Sequence, residues 1–209
     1  MIQTRQLHRV DNFGAGPSAL PLQVLERAQE ELLDFAGSGM SMLELSHRDR
    51  RYEAVYQKAV QRLRELLALS ASQHVLFLQG GASLQFAMVP MNLLTPERCT
   101  AAYAISGAWG AKAYQDAQAI GDVRVIASSQ STGFDRVPPL STDALRPSDA
   151  YLHITSNETI GGVQWPTLPA DMPVPVVVDM SSDILSRELD LTGLGLIYAG
   201  AQKNLGPSG

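Results

Sequence analysis

Apolar residues recur at helical spacing in two stretches of the first third of the chain. Residues 21–35 and 50–69 each place their apolar positions on one face, which predicts two amphipathic helices. The glycines at the end of the first stretch would terminate that helix. Residues 41–48 between the two are predicted to be irregular or extended, and residues 1–13 are interpreted as an N-terminal arm.

From residue 74 onward, short apolar runs alternate with helix-like stretches. The candidate strands are residues 74–79, 101–105, 123–127, 151–155, 174–178 and 194–199. Helices are predicted between several of them, over residues 83–94 and 109–120. Strands that are apolar on both faces are typical of a mainly parallel sheet flanked by helices, so the pattern predicts an α/β fold. The order of the strands does not follow from the pattern.

Small and polar residues follow five of these predicted strands. Ligands of open α/β sheets bind at the carboxyl ends of the strands. If the strands are parallel, the five segments gather at one edge of the sheet, and a binding site is predicted there. The segments are residues 80–83, 106–109, 156–159, 179–182 and 200–204.

Lys203 is the lysine with the clearest chemical context. The chain has three lysines, and the other two, Lys58 and Lys112, fall within predicted helices. Lys203 alone directly follows a predicted strand, in a segment of small and polar residues. Burial beside another positive group favours the neutral amine that a nucleophile requires. A solvated loop lysine is the ordinary alternative, and the residues alone leave both interpretations open.

Asp179 and Trp109 also allow two interpretations each. Asp179 follows a buried-type strand, where an aspartate either caps the next helix or keeps a pyridine nitrogen protonated. Trp109 lies just past a strand end, and its indole either packs in the core or stacks on a flat cofactor ring.

The turn at residues 80–83 and a few polar side chains complete the candidate site. The turn runs into a predicted helix, so it is either a plain turn or a place where free N–H groups bind a phosphate. Thr159 and Gln202 offer neutral hydrogen bonds to a ring oxygen or a phosphate. Arg48, next to His47, either binds a carboxylate through its guanidinium group or is a surface arginine.

Composition and charge narrow the function classes. The net charge of -5 gives no support to nucleic-acid binding. Cys99 is the single cysteine, so no disulfide forms within the chain, and the four histidines are far apart in sequence, so we expect no metal site. No apolar run reaches the length of about 20 residues that a membrane helix needs, and no signal-peptide pattern is present. A cytoplasmic protein without membrane contact is expected.

Together these segments resemble the phosphoserine aminotransferases, a family of class V within the fold-type I enzymes that use pyridoxal phosphate (PLP). The most specific segment is Ala199-Gly200-Ala201-Gln202-Lys203-Asn204. Further matches are Leu45-Ser46-His47-Arg48, Asn157-Glu158-Thr159-Ile160 and Asp179-Met180-Ser181-Ser182. The resemblance covers nearly the whole chain after the arm and implies an incomplete large PLP-binding domain over residues 14–209.

The resemblance implies a role for each candidate residue. Lys203 matches the lysine that holds PLP covalently, and Asp179 matches the partner of the pyridine nitrogen. Trp109 matches the residue that stacks on the ring. The other cofactor-binding positions are Ala82, Ser83, Thr159 and Gln202. Arg48, with His47 beside it, matches the arginine that binds the substrate carboxylate.

The implied reaction transfers an amino group between glutamate and 3-phosphohydroxypyruvate, a phosphorylated 2-oxo acid. The pathway would be serine biosynthesis, with vitamin B6 synthesis as a second one to consider. The resemblance also implies a homodimer with shared active sites. Family members continue well beyond the lysine segment, so we expect an incomplete sequence that lacks the small C-terminal domain and is inactive by itself.

Three alternatives stay open at this point. One is another class V PLP enzyme with a different amino donor or acceptor, which a substrate comparison would identify. A second is a non-catalytic fragment of the same fold, which would show no absorbance from lysine-bound PLP. A third is a dinucleotide-binding module suggested by Gly14-Ala15-Gly16, although this loop follows no predicted strand.

Overall fold

The computed structural model describes residues 8–169 and 171–208 of the chain. Residues 1–7 of the predicted arm lie outside the described residues, and residues 8–13 contain no helix or strand. The described part is built on a five-stranded sheet whose strand order is β2-β1-β3-β4-β5. The strands are β1 Thr100–Ile105, β2 Asp122–Ser128, β3 Asp149–Thr155, β4 Val176–Asp179 and β5 Leu194–Tyr198.

Every pair of neighbouring strands in this sheet is parallel. The central strands β1, β3 and β4 are buried along their whole length. Strands that are covered on both faces need apolar side chains on both faces, which is the pattern that the sequence shows. The α/β class, the parallel sheet and five of the six predicted strands are therefore confirmed.

Four α-helices accompany the sheet in the described residues. They are α1 Leu22–Glu31, α2 Arg50–Leu66, α3 Gly81–Leu93 and α4 Ala108–Ala117. All four were predicted, and their ends differ from the prediction by a few residues. None of them, within the described part of the chain, has the length and apolarity that crossing a membrane requires.

The first helix ends earlier than its periodicity indicates. The prediction extended it to residue 35, whereas α1 ends at Glu31. Asp34 has extended backbone angles, and its carboxylate accepts a hydrogen bond of 2.7 Å from the N–H of Gly39. Such a local side-chain bond competes with helical hydrogen bonding, because it offers the backbone another partner.

The predicted strand over residues 74–79 is wrong for the described structure. The segment forms no strand, and Leu76, Phe77 and Leu78 are 73%, 50% and 54% exposed. A strand needs the N–H and C=O groups of a neighbour, and β5 pairs with β4 alone among the described residues. The apolar run has side chains that suit a sheet, but none of the described strands pairs with it.

The two faces of the sheet carry different cores, because successive strand residues point to opposite sides. Leu152 and Ile154 of β3 pack in an aliphatic cluster on one face. Tyr151 belongs to the other face, where α3 and α4 contribute Phe86 and Ala113. This second face includes buried aromatic hydroxyls, such as that of Tyr151, which lies 2.9 Å from the hydroxyl of Tyr103.

A buried carboxylate joins three strands at the amino end of the sheet. Asp149, which begins β3, is fully buried and accepts a hydrogen bond of 2.7 Å from the Thr100 hydroxyl of β1. It also forms an ion pair with Arg124 of β2 and accepts a bond of 2.7 Å from the Arg146 N–H. Burial by itself would raise the pKa of Asp149, but these hydrogen bonds outweigh it, and the pKa is lowered.

Asp149→Asn is expected to lower the free energy of unfolding by about 2 kcal/mol, because hydrogen bonds to a charged group are lost. The folded state lowers the pKa of Asp149, so its stabilisation is present above the ordinary pKa of an aspartate and is lost as the pH falls below it. Urea denaturation measures the change. The exposed Asp143→Asn is the control, and an equal loss in both variants would contradict the prediction.

Candidate active site

A cavity of about 290 Å³ lies where the carboxyl ends of the parallel strands meet. The loops after β1, β3, β4 and β5 and the start of α3 all contribute to its wall. The lining residues are Gly80, Gly81, Ala82, Ser83, Phe86, Trp109, Thr155, Asn157, Thr159, Asp179, Ser181, Ser182, Gly200, Ala201, Gln202, Lys203 and Ser208. The prediction that five polar segments gather at one edge of the sheet is confirmed.

Seven of the nine predicted site residues line this cavity. They are Ala82, Ser83, Trp109, Thr159, Asp179, Gln202 and Lys203. Arg48 and His47 are exposed in the segment before α2 and do not belong to the lining of the cavity. Among the described residues, no group of three or more histidine, cysteine, aspartate or glutamate side chains is placed to hold a metal ion.

Lys203 reaches the cavity through a loop that two other segments hold in place. Its Nζ donates a hydrogen bond of 2.8 Å to the Thr159 hydroxyl. A Cβ on Gly16 would lie 3.0 Å from Lys203 Cγ, so the N-terminal loop packs directly on the stem of the lysine. The Ser18 N–H donates a bond of 2.9 Å to the Gln202 carbonyl and joins the same two loops.

Asp179 ends β4 and faces the cavity with a buried carboxylate. Burial raises its pKa, and this rise is opposed by hydrogen bonds from Ser181 and by the positive charge of Lys203. The Ser181 N–H and hydroxyl donate to Asp179 Oδ1 at 2.9 and 2.6 Å. Both bonds hold the carboxylate in one orientation beside the lysine.

The start of α3 offers free N–H groups to the cavity. The first bond inside this helix runs from the Leu84 N–H to the Gly80 carbonyl at 3.3 Å, so the N–H groups of residues 81–83 precede it. No side chain caps this end. Gly80 has a φ of 91°, in the left-handed region that favours glycine. Such a helix start binds anions through its N–H groups and its dipole.

Trp109 lies in the first turn of α4, is 37% exposed and lines the cavity. Its backbone N–H donates a hydrogen bond of 2.8 Å to Glu158 Oε2. Glu158 is fully buried, and sequence reasoning assigned no role to it. A single glutamate among polar neighbours carries no periodic signal, so only the folded arrangement reveals the contact.

Comparison with known proteins assigns this arrangement to a family. The family model described as aminotransferase class-V matches residues 10–209. The chain belongs to the class-V aminotransferases. This class-V chain is similar to the phosphoserine aminotransferase of Geobacillus kaustophilus strain HTA426, with 57% identity over 203 residues. That match covers 97% of this chain and 56% of the relative, so the chain spans about half the length of the curated relatives it matches.

Solved structures of the same family superpose closely on this class-V chain. A phosphoserine aminotransferase structure that concerns radiation damage of the Schiff base has a TM-score of 0.91 and 50% identity, over 97% of this chain and 56% of that one. The PLP-bound phosphoserine aminotransferase of Trichomonas vaginalis has a TM-score of 0.86 and 37% identity, over 96% of this chain and 56% of that one.

A buried aromatic network lies under the site of this class-V aminotransferase chain. His153 Nε2 is 2.8 Å from the hydroxyl of Tyr198, and the imidazole stacks on Tyr103 with ring centroids 4.9 Å apart. Tyr198 is the register partner of Asp179 in the sheet. Burial lowers the pKa of His153 to about 3. The imidazole is therefore neutral at physiological pH.

The neutral state of His153 makes folding stability depend on pH. Because its pKa is lower in the folded than in the unfolded state, the unfolded state binds more protons between about pH 6.5 and pH 3. The neutral imidazole therefore makes its full contribution to the free energy of unfolding above pH 6.5, and this contribution is lost as the pH falls. Wild type should lose about 1.4 kcal/mol per pH unit more than His153→Gln below pH 6.

Urea denaturation at pH 7, 6 and 5 measures this difference. The exposed His74→Gln is the matched control, since its loss should leave the wild-type slope unchanged. Equal slopes for wild type and His153→Gln would contradict the prediction.

Proposed function

We propose that this chain forms the PLP-binding part of a phosphoserine aminotransferase. The observation that carries the proposal is the convergence of Lys203, Asp179 and Trp109 with the free N–H groups of α3 in one cavity. A lysine, a buried carboxylate, a flat aromatic ring and an anion site are the groups that PLP enzymes use. The names of the similar proteins support the same conclusion.

The residues of the cavity fit PLP. Its volume of about 290 Å³ is at the small end of the range for ligand pockets. Thr155 Oγ1 is buried there without a hydrogen-bond partner among the described residues, so it is available to a ligand atom. The N–H groups at the start of α3 suit the phosphate, and Asp179 suits a protonated ring nitrogen.

We assign each group a task on this basis. Trp109 would cover one face of the ring and exclude water from it. The helix start at residues 81–83, together with Gln202, would hold the phosphate. Thr159 would orient Lys203 or a ring oxygen through its hydroxyl, which already accepts a bond from Lys203 Nζ at 2.8 Å.

When bound, PLP supplies a ring that accepts electrons from the α-carbon of an amino acid. The ionised Asp179 carboxylate would hold the proton on the ring nitrogen and so favour that electron flow. Lys203 would act as the base, taking the proton from the α-carbon at its Nζ once the amine is free. Ser181 would keep Asp179 oriented through its two hydrogen bonds.

The proposed substrates are glutamate and 3-phosphohydroxypyruvate, which would give 2-oxoglutarate and phosphoserine. Arg48, with His47 beside it, would bind the substrate carboxylate. Both side chains are exposed in the described structure, so this task requires that they face the site in the complete protein.

We further propose a role in serine biosynthesis, a second role in vitamin B6 synthesis, a cytoplasmic location and a homodimer.

Lys203→Ala should abolish the yellow absorbance that PLP acquires when a lysine holds it covalently. Absorbance spectra of the complete gene product with added PLP, before and after glutamate, measure this. The wild-type band should appear and then bleach with glutamate, because the proposed amino donor would free Lys203 from its covalent bond.

Lys112→Ala is the matched control, since Lys112 lies on α4 and pairs with Asp116 outside the cavity. It should keep the band. A wild-type protein without the band, or a Lys203→Ala protein that retains it, would overturn the proposal.

A phosphorylated oxo acid should be preferred as amino acceptor over its unphosphorylated analogue. The measurement compares kcat/KM for 3-phosphohydroxypyruvate with that for hydroxypyruvate, using glutamate as donor. We expect a ratio of at least about 100, the order that two lost charge-assisted hydrogen bonds give. Similar values for the two acceptors would point to another class V aminotransferase with a different acceptor.

A further inference from the structure

Glu158 is a buried carboxylate for which the proposed function has no task. Its side chain is fully buried. No lysine, arginine or histidine of residues 8–169 and 171–208 forms an ion pair with it. A buried charge without a counter-ion destabilises a fold unless hydrogen bonds compensate it, so its contacts indicate why it is there.

The Glu158 carboxylate caps the helix that carries Trp109. Its two oxygens accept hydrogen bonds of 2.8 Å from the backbone N–H groups of Trp109 and Gly110. The residue at the N-cap position of α4 is Gly107, which has no side chain and makes no cap bond. Glu158 therefore takes the place of a local N-cap side chain, although it is 49 residues from Trp109 in sequence.

Two glycines leave room for this carboxylate. A Cβ on Gly107 would lie 2.5 Å from Glu158 Cδ, and one on Gly110 would lie 3.1 Å from Glu158 Oε1. Gly107 has extended backbone angles that any residue adopts, so close approach of Glu158 is the reason for glycine at that position. The absence of side chains at Gly107 and Gly110 thus allows the Glu158 carboxylate to reach the N–H groups at the start of the helix.

The neighbours of Glu158 fasten the same loop to the rest of the site. Asn157 donates a hydrogen bond of 2.8 Å to the Ser182 hydroxyl, in the loop after Asp179. Thr159 accepts the hydrogen bond from Lys203. Three consecutive residues thus tie the aspartate loop, the tryptophan helix and the lysine together, and Glu158 holds the tryptophan.

Burial raises the pKa of Glu158, the bonds from Gly110 and Trp109 oppose this rise, and the charge of Asp179 adds to it. The folded state therefore becomes less stable as this group ionises with rising pH, since its pKa lies above the unfolded value.

We propose that Glu158 is the positioning residue for Trp109: by capping α4 it fixes the indole over the place where the cofactor ring binds. This inference rests on the proposed function, because it assigns Glu158 a task in PLP binding. Glu158 touches neither cofactor nor substrate in this role and acts through Trp109 alone.

Glu158→Gln tests the inference on the complete gene product. The amide keeps the size of the carboxylate but has one acceptor oxygen, so one of the two N–H groups would face an NH₂ donor. The dissociation constant for PLP should rise about tenfold, the order expected for the loss of one charge-assisted hydrogen bond. In a Trp109→Ala background, Glu158→Gln should cause no further rise.

A readout without cofactor accompanies this cycle. Trp109 and Trp165 are the two tryptophans of residues 1–209. With Trp165 and any tryptophan outside these residues replaced by Phe, acrylamide should quench the Trp109 emission more strongly after Glu158→Gln. If Glu158→Gln does not fold, Gly107→Ala displaces the carboxylate from the opposite side and should give the same two results.

Asp149→Asn is the matched control, because it removes the charge of another fully buried carboxylate, at the opposite end of the sheet. It should lower stability and leave both the PLP dissociation constant and the quenching unchanged. Two outcomes would overturn the inference. One is that Glu158→Gln raises the PLP dissociation constant equally with and without Trp109. The other is that acrylamide quenches Trp109 no more strongly in the Glu158→Gln variant than in the protein with Glu158. If wild type takes up no PLP, the proposed function fails, and the quenching still decides whether Glu158 holds Trp109.

Discussion

Parallel pairing of the buried strands β1, β3 and β4 is the constraint on which the rest of this structure depends. Because these strands run in one direction, the segments that follow them emerge at the same edge of the sheet. Residues as far apart in sequence as Trp109 and Lys203 therefore share one cavity. Without this pairing, the lysine, the aspartate and the tryptophan would be unrelated loop residues.

The buried carboxylates at the two ends of the sheet have pKa values shifted in opposite directions. At the amino end, Asp149 has an arginine partner and a lowered pKa, and it stabilises the fold. At the carboxyl end, burial raises the pKa of both Asp179 and Glu158, and their hydrogen bonds oppose this rise without cancelling it. The carboxylates with raised pKa values thus lie at the edge of the sheet that forms the cavity, and perturbed pKa values are common at functional sites.

The site is also held by contacts that no local sequence pattern encodes. The stem of Lys203 packs against Gly16 of the N-terminal loop, and its amine is bonded to Thr159. Glu158, beside that threonine, caps the helix that carries Trp109. The loop at residues 157–159 is therefore the structural centre of the site, because it contacts the three segments with the proposed chemical groups.

The sequence by itself determined the fold class, five strands, four helices and the segments that form the cavity, because apolar periodicity and strand-end polarity are local properties. It also singled out Lys203, which follows a predicted strand, and Asp179, which follows a predicted strand of the buried type. The tertiary structure alone decided the strand order, the lack of a strand at residues 74–79 and the end of α1 at Glu31. It likewise revealed the contacts of Glu158 and His153, since a buried side chain acquires its partners and its pKa from residues that only folding brings within reach.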